Sequence, residues 1–287
     1  MAQVTKLIHK YLRHDKKFPH VWCPGCGNGI LLGALIRAID RLGCTKDEVV
    51  LVSGIGCSGR LPVYVDFNTL HTTHGRALTF ATGVKLANPK LNVIVVMGDG
   101  DAIAIGGNHF IHAARRNIDL TAIIINNHVY GMTGGQTSPT TPHGSFSTTA
   151  PFGNLEQSFS IAELAITAGA SLVARGTVYH ALMLDRLIEQ AIRKRGFSVV
   201  EVISHCHTQY GHLNNLGSAV EMLQWQRDNS IPVEKAKDIP AEQLRGKITI
   251  GLLVDRELPV YTDQYERIRK EAHAQLLIGK AKDKKDS

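Results

Sequence analysis

Two carboxylates, each beside a glycine, come directly after a strongly apolar stretch. The segment VVMGDGDAI, residues 95–103, contains Asp99 and Asp101. Gly98 and Gly100 allow a tight turn and a close approach of the backbone to a ligand. A helix beginning just after them would direct unpaired N–H groups and the positive end of its dipole at a phosphate. The pattern therefore predicts an anion-binding turn at the end of a buried strand. Asp101 would contact the phosphate or cap this helix.

A pair of asparagines follows the next apolar stretch. Asn127 comes 28 positions after Asp99, across one strand–helix–strand unit. A phosphate beside a carboxylate needs a cation between them, and Mg²⁺ prefers oxygen ligands from one or two side chains and from phosphates. Acidic turns and Asn-rich turns are common by themselves. Their separation by one such unit favours a Mg²⁺–phosphate site in which Asp99 and Asn127 supply side-chain oxygens.

Two of the five cysteines form a Cys-x-x-Cys pair. The segment WCPGCG, residues 22–27, places Cys23 and Cys26 just before a predicted helix. Thiolates at this spacing bind zinc, hold part of an iron–sulfur cluster or act as a redox dithiol. The spacing alone leaves all three open.

The remaining cysteines fall into two groups. Cys57 and Cys206 each follow a predicted strand, so they complete a set of four if the strand ends converge. Cys44 follows a predicted helix away from those ends, and we expect an ordinary thiol. Zinc stays open at this point, because the segment SHCHTQYGH places three histidines around Cys206: His205, His207 and His212.

The elements that must position these residues alternate along the chain. Strands without polar alternation, separated by helices, indicate a parallel sheet with helices on both faces. Cys57, Asp99, Asn127 and Cys206 all come just after strands, and open α/β sheets bind ligands at the carboxyl ends of their strands. Strands are predicted at 48–53, 92–97, 121–126, 171–174 and 198–204, and helices near 29–42, 76–87, 103–116, 159–169 and 180–194.

Composition limits the remaining possibilities. The chain has 287 residues and a formal charge of +7, enough for one large α/β domain or for a domain with an extension. It contains no apolar run of membrane-spanning length and no nucleic-acid-binding motif, and its charged N-terminus lacks a signal peptide, so we expect a cytoplasmic protein. The Gly-, Thr-, Ser- and Pro-rich stretch 131–151 is long enough to be a functional loop. After about residue 207 the β/α rhythm fades, and the basic end 279–287 is expected to be solvated.

Together the motifs resemble the β subunits of the thiamine diphosphate-dependent 2-oxoacid:ferredoxin oxidoreductases, of the 2-oxoglutarate type. Gly-Asp-Gly followed by Asn-Asn is the diphosphate-binding signature of thiamine diphosphate enzymes. The resemblance implies a thiamine diphosphate-binding α/β fold with an irregular C-terminal extension. It divides the chain into a cofactor- and cluster-binding domain, 1–206, and an extension, 207–287, that packs on the cluster and the partner subunit. The resemblance covers about residues 18–212 and includes WCPGCG, GIGCSGR, HTTHGRA, GDGDAIAIGGNH and NNHVYGMTGGQTSPTTP.

The resemblance also implies the ligands. Mg²⁺ would be held by Asp99, the Asn127 side chain and the Val129 carbonyl. One 4Fe–4S cluster would be held by Cys23, Cys26, Cys57 and Cys206. The matched motifs assign eleven residues to cofactor binding: Ile55, Gly56, Cys57, Ser58, Gly98, Gly100, Asp101, Asn127, Tyr130, Gly131 and Met132.

The substrate residues are predicted from charge and position. A 2-oxo acid carboxylate calls for a cation, and Arg60 is the first candidate because a guanidinium pairs bidentately with a carboxylate. His74 and Arg76 open a helix that would point at the same edge. Met132 would border the thiazolium ring, and Thr133 would donate a hydrogen bond there. His109 and His112 are expected to be packed or surface residues.

The reaction implied is the oxidative decarboxylation of a 2-oxo acid, with 2-oxoglutarate expected and pyruvate or a branched-chain acid as alternatives. Coenzyme A would take the acyl group, and electrons would leave through the cluster to ferredoxin. The direction of the reaction, oxidative or CO₂-fixing, stays open. A partner α (or fused γα) subunit would supply the pyrimidine-binding module in an (αβ)₂ assembly. The competing classes are a non-redox thiamine diphosphate enzyme and a zinc-stabilised, non-catalytic binding subunit.

Overall fold

The chain is built around one eight-stranded sheet. The computed structural model describes residues 2–15 and 18–283. The strand order is β2-β1-β3-β4-β8-β7-β10-β9, and every neighbouring pair is parallel except β7 with β10. A small antiparallel ribbon, β5 with β6, lies outside this sheet. The strands of the described chain are β1 Val49–Ser53, β2 Asn68–His71, β3 Asn92–Gly98, β4 Thr121–Asn126, β5 Val129–Tyr130, β6 Gln136–Thr137, β7 Leu172–Thr177, β8 Ser198–Ile203, β9 Ser230–Pro232 and β10 Ile248–Asp255.

Helices cover both faces of the sheet, which is why its central strands are apolar on both sides. The buried side chains form two large cores. One lies between the sheet and α1, α2 and α6, and the other between the sheet and α3, α4 and α5. The α-helices of the described chain are α1 Ala2–Tyr11, α2 Gly27–Leu42, α3 Ala77–Ala87, α4 Gly107–Arg115, α5 Ile161–Ala168, α6 Ala181–Arg193, α7 Ala219–Asn229, α8 Val233–Ala236, α9 Ala241–Leu244 and α10 Tyr261–Asp283.

The predicted strands and helices between residues 29 and 204 are confirmed to within a few residues. One difference concerns the helix expected over 103–116. The chain first makes a wide π-helical turn, Gly100–Ile105, and α4 starts only at Gly107. The turn after Gly-Asp-Gly is therefore broader than a regular helix start. No helix among the residues that the structure describes is long and apolar enough to cross a bilayer.

The segment after residue 207 is more regular than the sequence indicates. β10 adds antiparallel to β7, and β9 pairs with β10. An antiparallel neighbour needs no crossover helix, so this part of the sheet produces no strand–helix rhythm to detect. The sheet therefore continues across the predicted boundary at residue 206, and the division of the chain there stays a prediction. The basic end of the chain lies partly outside the described residues.

Four neighbouring strands of the sheet position the candidate site. β1, β3, β4 and β8 are adjacent and parallel, so the loops after their carboxyl ends meet at one edge. Cys44 lies at the other edge, where its Sγ accepts a hydrogen bond of 3.4 Å from the side chain of Asn92, the first residue of β3. The predicted separation of Cys44 from the strand ends is confirmed.

Candidate active site

A cleft opens at the carboxyl ends of β1, β3 and β4. It encloses about 670 Å³, part of which is open to solvent. All eleven residues that the sequence analysis assigned to cofactor binding line it, as do Asp99, Val129, His74 and Thr133. Segments that are distant in sequence therefore converge on one site.

Asp99 is a buried carboxylate with polar support and no cationic partner. Its Oδ2 accepts hydrogen bonds from the hydroxyls of Ser138, at 2.6 Å, and Thr140. Burial raises the pKa of Asp99, and these two hydroxyls oppose that shift. Within the described chain no lysine or arginine forms an ion pair with this carboxylate. A buried carboxylate of this kind is well suited to a divalent cation, whose charge would offset the cost of desolvation.

The turn after β4 presents the second predicted ligand. His128 has a positive φ of 64°, so the chain reverses sharply there. Asn127 Oδ1 accepts a hydrogen bond of 3.3 Å from the Val129 N–H. Asn127 and Val129 both line the cleft with Asp99. Two side-chain oxygens and one loop of backbone therefore lie around the same space.

The two glycines of the Gly-Asp-Gly motif have different physical roles. A Cβ on Gly98 would have only the Ser58 hydroxyl nearby, at 3.6 Å. The space above Gly98 is thus free for a ligand. A Cβ on Gly100 would lie 2.2 Å from the Tyr130 ring, so Gly100 is required by the packing of Tyr130 against the backbone.

Asp101 holds the loop before α3. Its Oδ1 accepts hydrogen bonds from the His74 ring and from the Gly75 N–H, the latter at 2.7 Å. Its Oδ2 is buried and has no partner among the described atoms. Burial raises the pKa of Asp101, opposed by Gly75 and His74. Asp101 thus fixes the His74–Gly75 loop beside the cleft.

Four of the five cysteines lie around one point beside the cleft. The thiols of Cys23 and Cys206 both contact the Thr208 hydroxyl, at 3.8 and 3.6 Å. Burial raises the pKa of Cys26 to about 11, and the neighbouring Cys57, Cys206 and Cys23 add to the shift. Thiols grouped in this way stay protonated unless a metal or cluster compensates the charges of the thiolates.

Gly131 lies between the thiols and the cleft. It lines the cleft, and a Cβ built on it would lie 3.3 Å from Cys206 Sγ and 3.9 Å from Cys57 Sγ. Cys57 itself also lines the cleft. The cleft and the thiols therefore share one wall, as the sequence analysis expected from the strand ends.

The predicted substrate residues divide into two groups. His74, Met132 and Thr133 line the cleft, although the Thr133 hydroxyl donates to the Gln136 side chain at 2.7 Å. Arg60 and Arg76 do not line it. Arg60 is exposed on a short 3₁₀ turn, with the Cys57 thiol close enough for its charge to act on it. Arg76 is exposed and contacts His109, so their proposed substrate roles stay predictions.

Sequence reasoning missed Asn28. This residue is 3 % exposed, lies in the first turn of α2 and lines the cleft. The available signal was an asparagine between two glycines directly after the second cysteine, on a helix whose first three turns are otherwise apolar or glycine up to Ile36. Of the three histidines near Cys206, His205 has its Nε2 2.7 Å from the carbonyl oxygen of Gly25, in the loop between Cys23 and Cys26. Among the described residues no three His, Cys, Asp or Glu side chains lie close enough to hold a single metal ion.

Comparison with known proteins is consistent with this geometry. Residues 29–202 match the thiamine pyrophosphate enzyme family, C-terminal TPP binding domain. The 2-oxoglutarate synthase subunit KorB of Methanothermobacter marburgensis is 51% identical over 272 residues, 95% of each chain. The 2-oxoacid:ferredoxin oxidoreductase subunit beta of Saccharolobus solfataricus is 49% identical over 189 residues, 65% of this chain and 62% of the relative.

A solved structure shares most of the architecture. It is the 2-oxoglutarate:ferredoxin oxidoreductase from Magnetococcus marinus with 2-oxoglutarate, coenzyme A and succinyl-CoA bound. It superposes with a TM-score of 0.81 at 33% identity, covering 93% of this chain and 90% of that one. The similarity therefore includes the C-terminal part, which the motifs do not cover.

Proposed function

Because the chain belongs to the β subunits of the 2-oxoacid:ferredoxin oxidoreductases, we propose that it is the β subunit of an enzyme that converts 2-oxoglutarate and coenzyme A to succinyl-CoA and CO₂. The electrons pass through a 4Fe–4S cluster to ferredoxin. The single observation that carries the proposal is the wall formed by Gly131, which borders both the cleft and the thiols of Cys57 and Cys206. In this arrangement a thiamine diphosphate bound in the cleft would lie next to a cluster bound by the thiols, which would accept its electrons.

Thiamine diphosphate is the cofactor proposed for the cleft, where it would supply the carbanion chemistry that cleaves the bond to the departing carboxylate. Asp99, the Asn127 side chain and the Val129 carbonyl are the proposed Mg²⁺ ligands. Ser138 and Thr140 orient the Asp99 carboxylate. Gly98 leaves room for the diphosphate, and Tyr130 supports the turn after Asp99.

The thiols are proposed to hold a 4Fe–4S cluster and not zinc. Thr208 and Gly131 each adjoin two of the thiols, which supports a single site for them. Four thiolates suit either zinc or an iron–sulfur cluster. The cluster is preferred because the relatives are named as ferredoxin oxidoreductases, whose reaction needs an electron carrier.

The choice of 2-oxoglutarate rests on the relatives. The 51% identical relative and the solved structure are both named for this substrate. Coenzyme A is proposed for the same reason, since the solved structure holds coenzyme A and succinyl-CoA. A zinc-stabilised, non-catalytic subunit is inconsistent with membership of this enzyme family.

A second chain completes the proposed site. One cofactor-binding module is present in residues 2–15 and 18–283, and we propose that an α (or fused γα) subunit supplies the pyrimidine-binding module in an (αβ)₂ assembly. The exposed side chains of Phe152 and Leu155 lie beside a surface that Tyr130 shares with the cleft. This surface is the proposed contact with the partner.

The test is anaerobic co-expression of this chain with its α subunit. We expect about four irons per β chain and reduction of a viologen dye that requires coenzyme A and is faster with 2-oxoglutarate than with pyruvate. Faster turnover of pyruvate would contradict the proposed substrate.

Asp99→Ala should abolish binding of Mg²⁺–thiamine diphosphate and leave the cluster absorbance intact. Retention of the cofactor at wild-type affinity would contradict the proposed site. Asp185→Ala, at a buried aspartate paired with Arg37 and Arg41, is the control for loss of a buried carboxylate elsewhere.

A further inference from the structure

A buried ion pair lies in the middle of the sheet, away from the surface of the cleft. Glu201 of β8 is 2 % exposed and stands opposite Arg175 of β7 and Ile124 of β4 in the strand register. Its Oε2 accepts a hydrogen bond of 2.8 Å from Arg175 Nε. Burying such a pair contributes little net stability, because desolvation costs about as much as the attraction returns. Stability alone therefore does not explain why an ion pair lies at this position in the sheet.

The second oxygen of Glu201 is directed at the proposed cation site. Oε1 accepts a hydrogen bond of 2.9 Å from Asn126 Nδ2, across 75 positions of sequence. Asn126 is 4 % exposed and directly precedes Asn127. The ion pair thus contacts the residue at which β4 ends and the turn carrying the proposed Mg²⁺ ligands begins.

This contact determines which way the Asn126 amide points. An amide has a donor end and an acceptor end, and only its partners decide their orientation. A carboxylate only accepts, so Nδ2 must face Glu201. Oδ1 must then face the turn, where it accepts from the His128 N–H at 3.3 Å and from the Thr140 hydroxyl at 2.9 Å.

The His128 N–H and the Thr140 hydroxyl both belong to residues that shape the proposed cation site. His128 has the positive φ that reverses the chain between Asn127 and Val129. The Thr140 hydroxyl also contacts Asp99 Oδ2. It therefore links Asn126 to Asp99, which is itself a proposed Mg²⁺ ligand. A flipped Asn126 amide would place its NH₂ group against the His128 N–H, which can only donate, and the turn would lose that hydrogen bond. The Thr140 hydroxyl could accept from the flipped NH₂ group and would then give its proton to Asp99 alone.

From this chain of contacts we infer that Glu201, oriented by Arg175, is a positioning residue for the Mg²⁺–diphosphate site, acting through Asn126. The inference rests on the proposed function for the identity of the ligand. It concerns residues that touch neither the cofactor nor the substrate.

The deciding substitution is Glu201→Gln, which preserves shape. The Gln carbonyl must face Arg175, so its NH₂ group faces Asn126 and forces the amide to flip. In the full assembly we expect the Mg²⁺ concentration for half-maximal thiamine diphosphate binding, measured by calorimetry, to rise about tenfold, the scale of one or two lost hydrogen bonds. Adding Arg175→Met frees the Gln carbonyl to face Asn126. The double variant should therefore bind more tightly than Glu201→Gln alone.

A purely structural role predicts the same order for thermal stability, because Glu201→Gln leaves the Arg175 charge without a partner and Arg175→Met removes that charge. The distinguishing result is therefore a change in Mg²⁺ dependence that a comparable loss of stability elsewhere in the sheet does not produce. The matched control is Asp119→Asn at the other edge of the sheet. Asp119 is buried and pairs through Oδ2 with buried Lys85, at 2.7 Å, and with Arg195, while Oδ1 accepts from the Gly196 N–H. This control should lower thermal stability without moving the Mg²⁺ dependence by more than about twofold.

A second readout needs no cofactor. Hydrogen exchange of the peptide containing residues 126–131, measured before loading, should quicken in Glu201→Gln, recover in the double variant and stay unchanged in Asp119→Asn. Three results would each overturn the inference. They are a wild-type Mg²⁺ dependence in Glu201→Gln, weaker thiamine diphosphate binding in the double variant than in Glu201→Gln, and an equal shift of the Mg²⁺ dependence in Asp119→Asn.

Should Glu201→Gln fail to fold, the double variant decides, because the inference requires it to fold and bind. Failure of the wild-type assembly to bind thiamine diphosphate would overturn the proposed function instead, and the exchange experiment would still test the role of Glu201.

Discussion

Individual thiols have different environments although the proposed cluster needs all four. Cys23 is exposed, whereas Cys26, Cys57 and Cys206 are half-buried. Burial is the largest cause of the raised pKa of both Cys26 and Cys57. The thiolate forms therefore depend on a compensating positive charge, which the irons of a cluster would supply. Occupancy by a cluster and folding of this region should be linked.

Cys206→Ser should remove the cluster. We expect iron to fall from about four to below about one per chain, because a 4Fe–4S cluster requires a ligand at each corner and Ser replaces a soft sulfur with a hard oxygen. Iron analysis and the visible absorbance of the anaerobic protein measure this. Cys44→Ser, at the opposite edge of the sheet, is the matched control and should keep the full iron content. A normal cluster in Cys206→Ser would mean that another residue is the ligand.

At the scale of elements, the start of α2 is pressed against the end of β8. A Cβ on Gly27, the first residue of α2, would lie 2.4 Å from the Ser204 hydroxyl and 2.9 Å from a methyl group of Val178. The glycine thus allows the helix that follows Cys26 to approach the loop that carries Cys206. The separation of two proposed cluster ligands depends on this one close contact.

Gly27→Ala should push α2 away from β8. We expect a loss of about 1–3 kcal/mol in unfolding free energy from overpacking, measured by denaturant unfolding, together with reduced iron content. Gly33→Ala in the same helix is the control. A Cβ there would meet only the end of the flexible Arg37 side chain, at 3.1 Å, so this change should add about 0.5–1 kcal/mol through helix propensity. Equal iron content in the two variants would contradict the proposed role of the close contact.

At the scale of the whole molecule, one part of the surface carries a group of large apolar side chains that are exposed to solvent. Phe152 is 97 % exposed and Leu155 is 86 % exposed, beside half-exposed Phe159. All three border the surface that reaches Tyr130 and thus the cleft. Exposed apolar side chains grouped in this way are typical of protein–protein contacts. A partner bound there would lie next to the proposed cofactor.

Phe152→Asp should weaken assembly with the α subunit by at least about tenfold, since an exposed aromatic that becomes buried on association is replaced by a charge. Size-exclusion chromatography with light scattering, over a dilution series, measures this. Phe152→Leu keeps an apolar side chain and should still assemble. The isolated Phe152→Asp chain should have wild-type thermal stability, because the side chain contacts solvent. Normal assembly of the Asp variant would place the partner on another surface.

Much of the fold could be predicted because its signals are local. Apolar β-branched runs separated by amphipathic helices indicated the parallel strands, and Gly-Asp-Gly and Asn-Asn marked the ends of β3 and β4. The cleft formed where these ends were expected to meet, since parallel strands carry their carboxyl ends to one edge. β2 and β10 were missed because one is a short edge strand and the other joins antiparallel, without a crossover helix to announce it.

The sequence by itself determined the class of elements, the candidate ligands and the family resemblance, because each depends on neighbouring residues or on motifs of fixed spacing. Only the tertiary structure decided that Arg60 and Arg76 lie outside the cleft, that Asn28 lines it, and that Glu201 holds Asn126 from 75 positions away. Such contacts depend on the order of strands in the sheet. That order results from the packing of the whole chain and leaves no periodic trace along the sequence.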